Sequence, residues 1–241
     1  MYKFLEKQHC HTLDGQPLYG TSTVIKEIMP PFLAKWGAQC AVDFLKENPE
    51  QWSGAVSAWS KVRQKAADKG TDRHSVLESY VTRMITDFDG IPQLLNDQNE
   101  KDAEWEKIQS FAKWSVSNIA RFVFAEKNTY SRELWVGGII DCVAYLKSGE
   151  LVVIDFKSSR EAYFNHFIQV GGYALQLDES GYGNENGENW QKLEEKVGAL
   201  IIVPFGMKTL KPEKVINVQG FKDSFKQCVE IYKLKQAFEN K

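Results

Sequence analysis

Between Val136 and Lys157 two apolar, β-branched runs, VGGIIDCVAYL and ELVVIDFK, stand either side of a short polar break, Lys147-Ser148-Gly149. This is the most restrictive feature of the chain. Strands joined so closely must pair antiparallel, and the length of the loop then decides which residues face each other. A three-residue hairpin loop takes two right-handed residues followed by a left-handed one, a place that glycine fills without a Cβ penalty. Gly149 suits that place. Leu146 then pairs with Glu150, and the same register sets Asp141 opposite Asp155 on one face of the ladder. A two-residue loop would shift the register by one and put the two acids on opposite faces.

Directly opposed side chains have Cβ atoms about 4.5–5.5 Å apart, so two bare carboxylates there repel. A hard divalent cation such as Mg2+ or Mn2+ offsets the repulsion, because it takes carboxylate oxygens and becomes the largest local charge. Strand alternation also sets Lys157 on the Asp155 face, which leaves an ammonium beside the acids. The plainer alternative is that Asp155 and Lys157 mark the solvated end of a strand, with Asp141 unrelated. A second aspartate brought opposite by an independently read turn favours the metal site.

The rest of the chain predicts the setting for this hairpin. The first half reads as helices, with apolar residues at spacings of three and four, as in Val76, Leu77, Tyr80, Val81, Met84 and Ile85. Gly70 is expected to end one of them and Thr71 to cap the next. From about Arg121 the pattern turns to strands (RFVFAE, the two hairpin runs, GALIIVPF and EKVINV). A helix of about eighteen residues lies between the third and fourth, and FKDSFKQCVEIYKLKQAFEN forms a final amphipathic helix. The polar stretch ESGYGNENGENWQKLEEK reads as a mobile connection. The expectation is one α/β domain over 1–241, with a mainly helical part over 1–120 and the α/β core over 121–241. At 241 residues, 43% hydrophobic and 26% charged, the chain has an ordinary globular composition, large enough for one sizeable core.

Charge and cysteine usage narrow the partners. Thirty basic residues against 32 acidic give a formal charge of −2, so no global field draws the chain to nucleic acid or membrane, and any polyanion site must be local. Lys61, Arg63, Lys65, Lys69 and Arg73, with Lys157 and Arg160, supply basic groups for such a site, against the simpler view of scattered solvated charge. Cys10, Cys40, Cys142 and Cys228 form no C-x-x-C pair, which argues for free thiols and against a zinc ribbon. MYKFLEKQHC has no apolar h-region and no run is long enough to cross a bilayer, so a cytoplasmic protein is expected. Trp36, Trp52, Trp59 and Trp114 sit on helical patterns and read as core rather than as platforms for bases.

Three further groups are candidates. His74, at the third position of the helix that Thr71 is expected to cap, would be kept neutral by the helix N-terminus and so able to bind a metal; the plainer view is an exposed histidine near a cap. Glu126 ends the strand RFVFAE, as a third acid or as a surface strand terminus. His166, Gln169 and Tyr173 form a polar stripe on the helix after Lys157, opposite Phe167, Val170, Ala174 and Leu177, and serve either as its wet face or as part of the site.

Taken together, Glu126, GGIID ending at Asp141, VVIDFKSS with Asp155 and Lys157, and Gln169-x-x-x-Tyr173 resemble the PD-(D/E)XK nuclease superfamily. The upstream GTDRH with His74 is similar to its RecB-type branch, which includes the mitochondrial genome maintenance exonuclease and many phage exonucleases. YGTSTVIKEI, Tyr19 to Ile28, resembles the Ser/Thr segment that opens several phage-type members. The resemblance covers about Tyr19 to Tyr173. It implies a restriction-endonuclease-like core, a central mixed β-sheet flanked by helices, with an N-terminal helical elaboration. It implies that Asp141, Asp155, the Phe156 carbonyl and His74 bind Mg2+ or Mn2+. Lys157 would orient the attacking water, Glu126 act as an additional acid, and Gln169 and Tyr173 contact the site or the strand. DNA is the implied partner, in the host cytoplasm if the protein is phage-encoded. Iron–sulfur members of this branch carry clustered C-terminal cysteines; Cys228 stands alone, so no cluster is expected. Gly171-Gly172 departs from a good helical sequence. Exonuclease action on linear DNA is favoured by analogy, with a structure-specific endonuclease or a non-cutting nucleic-acid-binding protein as alternatives.

Overall fold

The computed structural model describes residues 1–5, 10–26, 32–86, 103–184, 186–206 and 210–240, with the side chains of 32–34, 63–76 and 103–108 outside the description. A small antiparallel sheet, β1 (Tyr2–Leu5), β2 (Cys10–Leu13) and β3 (Gln16–Pro17), opens the chain. β4 (Tyr19–Gly20) and the short α1 (Thr21–Ile25) follow, then α2 (Phe32–Glu47), α3 (Trp52–Thr86) and α4 (Ala103–Asn118). The core elements are β5 (Ile119–Ser131), β6 (Val136–Leu146), β7 (Leu151–Lys157), α5 (Phe164–Ser180), β8 (Ala199–Pro204), β9 (Glu213–Val215) and α6 (Val218–Glu239).

The main sheet is mixed and six-stranded. β5 pairs antiparallel with β6 over its whole length, β6 pairs antiparallel with β7, β7 runs parallel to β8, and β9 closes the edge antiparallel to β8. The β5 partner occupies one edge of β6 from Val136 to Leu146, so β4 and β7 share the other edge. β4 takes its start, at Val136 and Gly137, and β7 takes its end, from Cys142 to Tyr145. Between these two partners the ladder on that edge is open, and Asp141 stands there.

Helices cover both faces. Leu77, Val81 and Met84 of α3 and Phe111 of α4 pack with Cys142, Ala144, Val152, Ile154 and Phe156 on one side. Phe167, Val170, Tyr173, Ala174 and Leu177 of α5 pack with Val143, Leu151 and Val153 on the other. The alternation of β7 follows from this, with even-numbered residues toward α3 and α4 and odd-numbered ones, Asp155 and Lys157 among them, toward α5. α6 lies against α5 so closely that a Cβ at Gly171 would stand 2.6 Å from the Phe221 backbone, and one at Gly172 2.6 Å from the Phe225 ring. That close approach is why a helix this well packed tolerates two adjacent glycines, each costing about 1 kcal/mol of propensity.

Four expectations need correction. Helix α3 runs without a break through Gly70 and Thr71, so His74 lies inside a long helix and not at an N-terminus, and the dipole argument for its neutral form falls away. A single glycine is too weak a stop to end a helix whose later turns are anchored in the core. The polar stretch after α5 is docked rather than mobile in pattern. Gly183 bridges to Asn128, Tyr182 pairs with Gln191, and the Trp190 ring lies 5.1 Å from Tyr2 and 4.9 Å from Tyr130. Glu126 lies within β5, five residues before its end, rather than at a strand terminus. Trp52 and Trp59 are exposed, at 71% and 39%, whereas Trp114 packs against the core beside Phe111. The cysteines are free, with Cys142 and Cys228 buried. No helix among the described residues is long and apolar enough to cross a membrane.

Candidate active site

The expected hairpin register is the observed one. Leu146 donates to Glu150 at 2.9 Å, Gly149 donates to the Leu146 carbonyl at 2.9 Å, and Gly149 sits at φ +96°. Tyr145 pairs with Leu151, Ala144 with Val152, Val143 with Val153 and Cys142 with Ile154, which brings Asp141 opposite Asp155 one step further on. Bonded and non-bonded pairs alternate in such a ladder, so Asp141 and Asp155 occupy a non-bonded pair, the type with the closer side chains.

At this step the two strands part. The Phe156 N–H, which an unbroken ladder would give to the β6 backbone, goes instead to Asp141 Oδ2 at 2.8 Å. A residue in a strand points its N–H and C=O to the same neighbour, so the Phe156 carbonyl also faces this opening. Asp155 is 1% exposed, and its Oδ2 lies 2.7 Å from Lys157 Nζ. Much of the repulsion between the opposed acids is therefore relieved from within the chain, by a backbone N–H on one and an ammonium on the other.

A third carboxyl completes the group. Ala125 pairs with Cys142 and Lys127 with Ile140, which sets Glu126 across from Asp141 on the opposite edge of β6. Its backbone is at φ +47°, a left-handed conformation uncommon for glutamate, just after a register irregularity between Phe122 and Phe124. Burial, reinforced by the charges of Asp141, Glu78 and Asp155, pushes the Glu126 carboxyl up to about 8. Near neutral pH this group holds a proton.

Helix α5 closes the site from one face. Gln169 Nε2 donates to the Tyr173 hydroxyl at 2.9 Å. Burial foremost, and then the charges of Asp155 and Asp141, hold the Tyr173 phenol well above its ordinary value, so it stays a neutral hydroxyl facing the acids. The polar stripe thus faces inward, and Tyr173 belongs to the same packed layer as Phe167 and Val170. Gly138 lets the ring lie close on β6, because a Cβ there would stand 2.7 Å from Tyr173 Cε1 and 2.8 Å from Thr21 Oγ1. The Thr21 hydroxyl donates to the Gly137 carbonyl at 3.1 Å and accepts from Gln176 Nε2 at 2.8 Å, so the Ser/Thr segment is tied to the same edge of β6.

Of two further groups near the acids, Glu78 carries no distinctive sequence signature, whereas His166 belongs to the polar stripe of α5. Glu78 reaches the electrostatic neighbourhood of Glu126 from α3, and only its place four residues after His74 hinted at a shared helical face. His166 accepts from the Tyr163 N–H through Nδ1 at 3.2 Å. Burial, and then Lys157, lower its pKa to about 4, so it is a neutral imidazole with its remaining N–H on Nε2. The side chain of His74 lies outside the described residues. Asp141, Asp155, Lys157, Glu126, Gln169, Tyr173 and the Phe156 carbonyl are brought together at the opened end of the β6–β7 ladder. Among the described residues, no three His, Cys, Asp or Glu side chains stand in a ready-made coordination set.

No family model and no curated protein matches this chain. Among solved structures, the crystal structure of SSO0001 is similar at a TM-score of 0.31 and 13% identity, over 85% of this chain and 82% of that one. A likeness of that degree carries no argument about fold or function.

Proposed function

We propose that the chain is a divalent-cation-dependent nuclease that hydrolyses phosphodiester bonds of DNA, acting from the ends of linear strands, on a restriction-endonuclease-like core. The observation that carries this is the opposition of Asp141 and Asp155 where β6 and β7 part, with Lys157 2.7 Å from Asp155 and Glu126 pushed up to about 8. A buried and a half-buried acid in a non-bonded pair, beside a proton-holding third carboxyl, are costly for stability and have no packing purpose.

The donor chemistry fits Mg2+ or Mn2+, since carboxylate and carbonyl oxygens are hard ligands. Asp141, Asp155 and the Phe156 carbonyl would hold the ion, with His74 as a further ligand and Glu126 as an additional acid. When bound, it supplies positive charge to a phosphoryl oxygen and lowers the pKa of water. The chain's own groups do the rest. Lys157, on the Asp155 face, orients the attacking water through its ammonium protons and offsets charge that develops on the phosphate. Tyr173, kept neutral, and Gln169 donate hydrogen bonds to the strand. His166, neutral and fixed through Nδ1, presents its Nε2–H on the same helical turn as Gln169.

The test is incubation of labelled linear and circular DNA, single- and double-stranded, with Mg2+, Mn2+ or EDTA. Metal-dependent loss of linear substrates alone is the expected result. Asp155→Asn, which keeps shape and removes charge, should reduce the rate by at least 100-fold. Cutting of circles would make the protein an endonuclease, and binding without turnover would make it a non-cutting protein with a nuclease-like site.

A further inference from the structure

We propose that Phe164, in the first turn of α5, is a stacking platform for one unpaired base of the strand held at the acids, with Arg160 beside it for a phosphate. The identity of the ligand rests on the nuclease function proposed above. Every other residue of α5 is buried or half-buried, so the one side chain that this helix leaves in the open is a phenylalanine, 65% exposed. Its ring meets that of Phe221 on α6 at 5.7 Å between centroids and 54°. That contact orients the ring and still leaves most of its surface to solvent. A ring kept out of the core forgoes about 1.5–3 kcal/mol of burial, on a helix that is otherwise fully used for packing.

The platform lies close to the chemistry. Phe164 precedes Gln169 by about 7.5 Å along the helix axis, roughly two stacking steps of 3.4 Å. It projects about 140° away from Gln169 around the axis, so a strand reaches both by crossing the N-terminal end of α5. The loop that carries Arg160 leaves β7 directly after Lys157 and is pinned to the segment after β8. The Phe205 N–H donates to the Lys157 carbonyl at 2.6 Å, and the Gly206 N–H to the Ser159 carbonyl at 2.7 Å. The Ser159 hydroxyl donates to the Glu161 carbonyl at 2.7 Å. Little ordering is left for binding to supply.

Two observations select a nucleotide. Arg160 is exposed and forms no ion pair among the described residues, while the carboxylate next to it in sequence, Glu161, is hydrogen-bonded with the Tyr163 phenol. An unpaired guanidinium beside an exposed ring serves a phosphate and its base; an apolar protein partner has no need of it. Lys157, Arg160 and Phe164 also follow one another away from Asp155 at spacings of three and four, so they meet in turn the phosphate at the acids, the next phosphate and its base. A base inside a duplex has both faces taken by its neighbours, so the platform selects strands with unpaired nucleotides.

The experiment uses the full chain in EDTA and an end-labelled oligo(dT) 20-mer, read by fluorescence anisotropy. Phe164→Ala should weaken binding about tenfold, and Phe164→Tyr should restore it. A single abasic nucleotide, placed in turn at each of the first four positions from either end, should cost wild type about the same at one position and cost Phe164→Ala nothing there. Arg160→Gln should lower the slope of log affinity against log salt by about 0.7. A blunt duplex should bind wild type and Phe164→Ala equally. Unchanged 20-mer affinity in Phe164→Ala overturns the inference, as does an abasic penalty that adds in full to that of the variant at every position, an unchanged salt slope in Arg160→Gln, or equal weakening for the duplex. So does a wild-type dimer in sedimentation that Phe164→Ala dissolves without loss of DNA binding. Cleavage of the 20-mer in Mn2+ separates the two proposals. Wild-type cleavage with Phe164-independent binding removes only the platform, whereas Phe164-dependent binding without any cleavage removes only the nuclease function.

Discussion

Glu126 concentrates the physics of this site in one residue. Its backbone is held in a left-handed conformation and its carboxyl is raised to about 8 by burial and by three neighbouring acids. A carboxyl raised above its unfolded value near 4.5 favours the folded state fully below that value, and the contribution is lost as pH climbs through about 8. In EDTA, wild-type stability should therefore decline between about pH 4.5 and 8. Glu126→Gln, which cannot ionise, should flatten that decline and melt several degrees above wild type at pH 8.5, while the two coincide near pH 4.5. For a chain of this size, about 1 kcal/mol of relieved repulsion is roughly 2–4 °C in Tm. Thermal melts across that range read the effect, and parallel curves for the two proteins would mean that Glu126 is ionised throughout. The conformation at Glu126 had no local signal, since a strand run names the residues but not their φ.

At the level of elements, the β6–β7 hairpin was the most legible part of the chain and α3 the least. The hairpin register follows from Lys147-Ser148-Gly149 because turn chemistry is local, and Asp141 faces Asp155 as that turn requires. The strand pattern from β5 to β8 and the helix after Lys157 were legible for the same reason, as apolar runs of the right period. The small sheet β1–β2–β3 was not, because strands of two to four residues carry too few positions to show an alternation. Nor was the unbroken course of α3, where packing of Leu77, Val81 and Met84 outweighs the break suggested by Gly70-Thr71. Gly171-Gly172 looked like a flaw in α5 until α6 was placed on it. Gly138 plays the matching part beneath α5, and it gives an element-scale prediction. Gly138→Ala sets a methyl 2.7 Å from Tyr173 Cε1 and 2.8 Å from Thr21 Oγ1, so α5 and β6 must move apart at the site. Overpacking of this kind costs about 1–3 kcal/mol. Cleavage should fall well beyond what that loss of stability explains, measured at a temperature where circular dichroism finds the variant folded. An active variant with wild-type rate would show that Tyr173 need not sit against β6.

Across the whole molecule, four elements contribute acids to one place. β5 brings Glu126, β6 Asp141, β7 Asp155 and α3 Glu78, so the charge of the site is borne by both the sheet and a helix that covers it. Strands and helix are held together by the apolar layers on either side, and each added negative charge works against that packing. A cation that binds only the assembled site must then stabilise the entire fold, by about 2.7 kcal/mol when present at 100 times its dissociation constant. The Tm of the full chain at pH 8 should rise by about 5–10 °C on saturation with MnCl2, and EDTA should reverse it. The rise should be smaller at pH 6, because the Glu126 proton must leave for its oxygens to serve the ion, and binding should release protons to the buffer in titration calorimetry. Asp141→Asn and Asp155→Asn together should abolish the shift while preserving the fold. If manganese moved the melting of that double variant as much as wild type, the ion would be binding elsewhere, and the opposed aspartates would be a structural ion pair network with Lys157 rather than a metal centre.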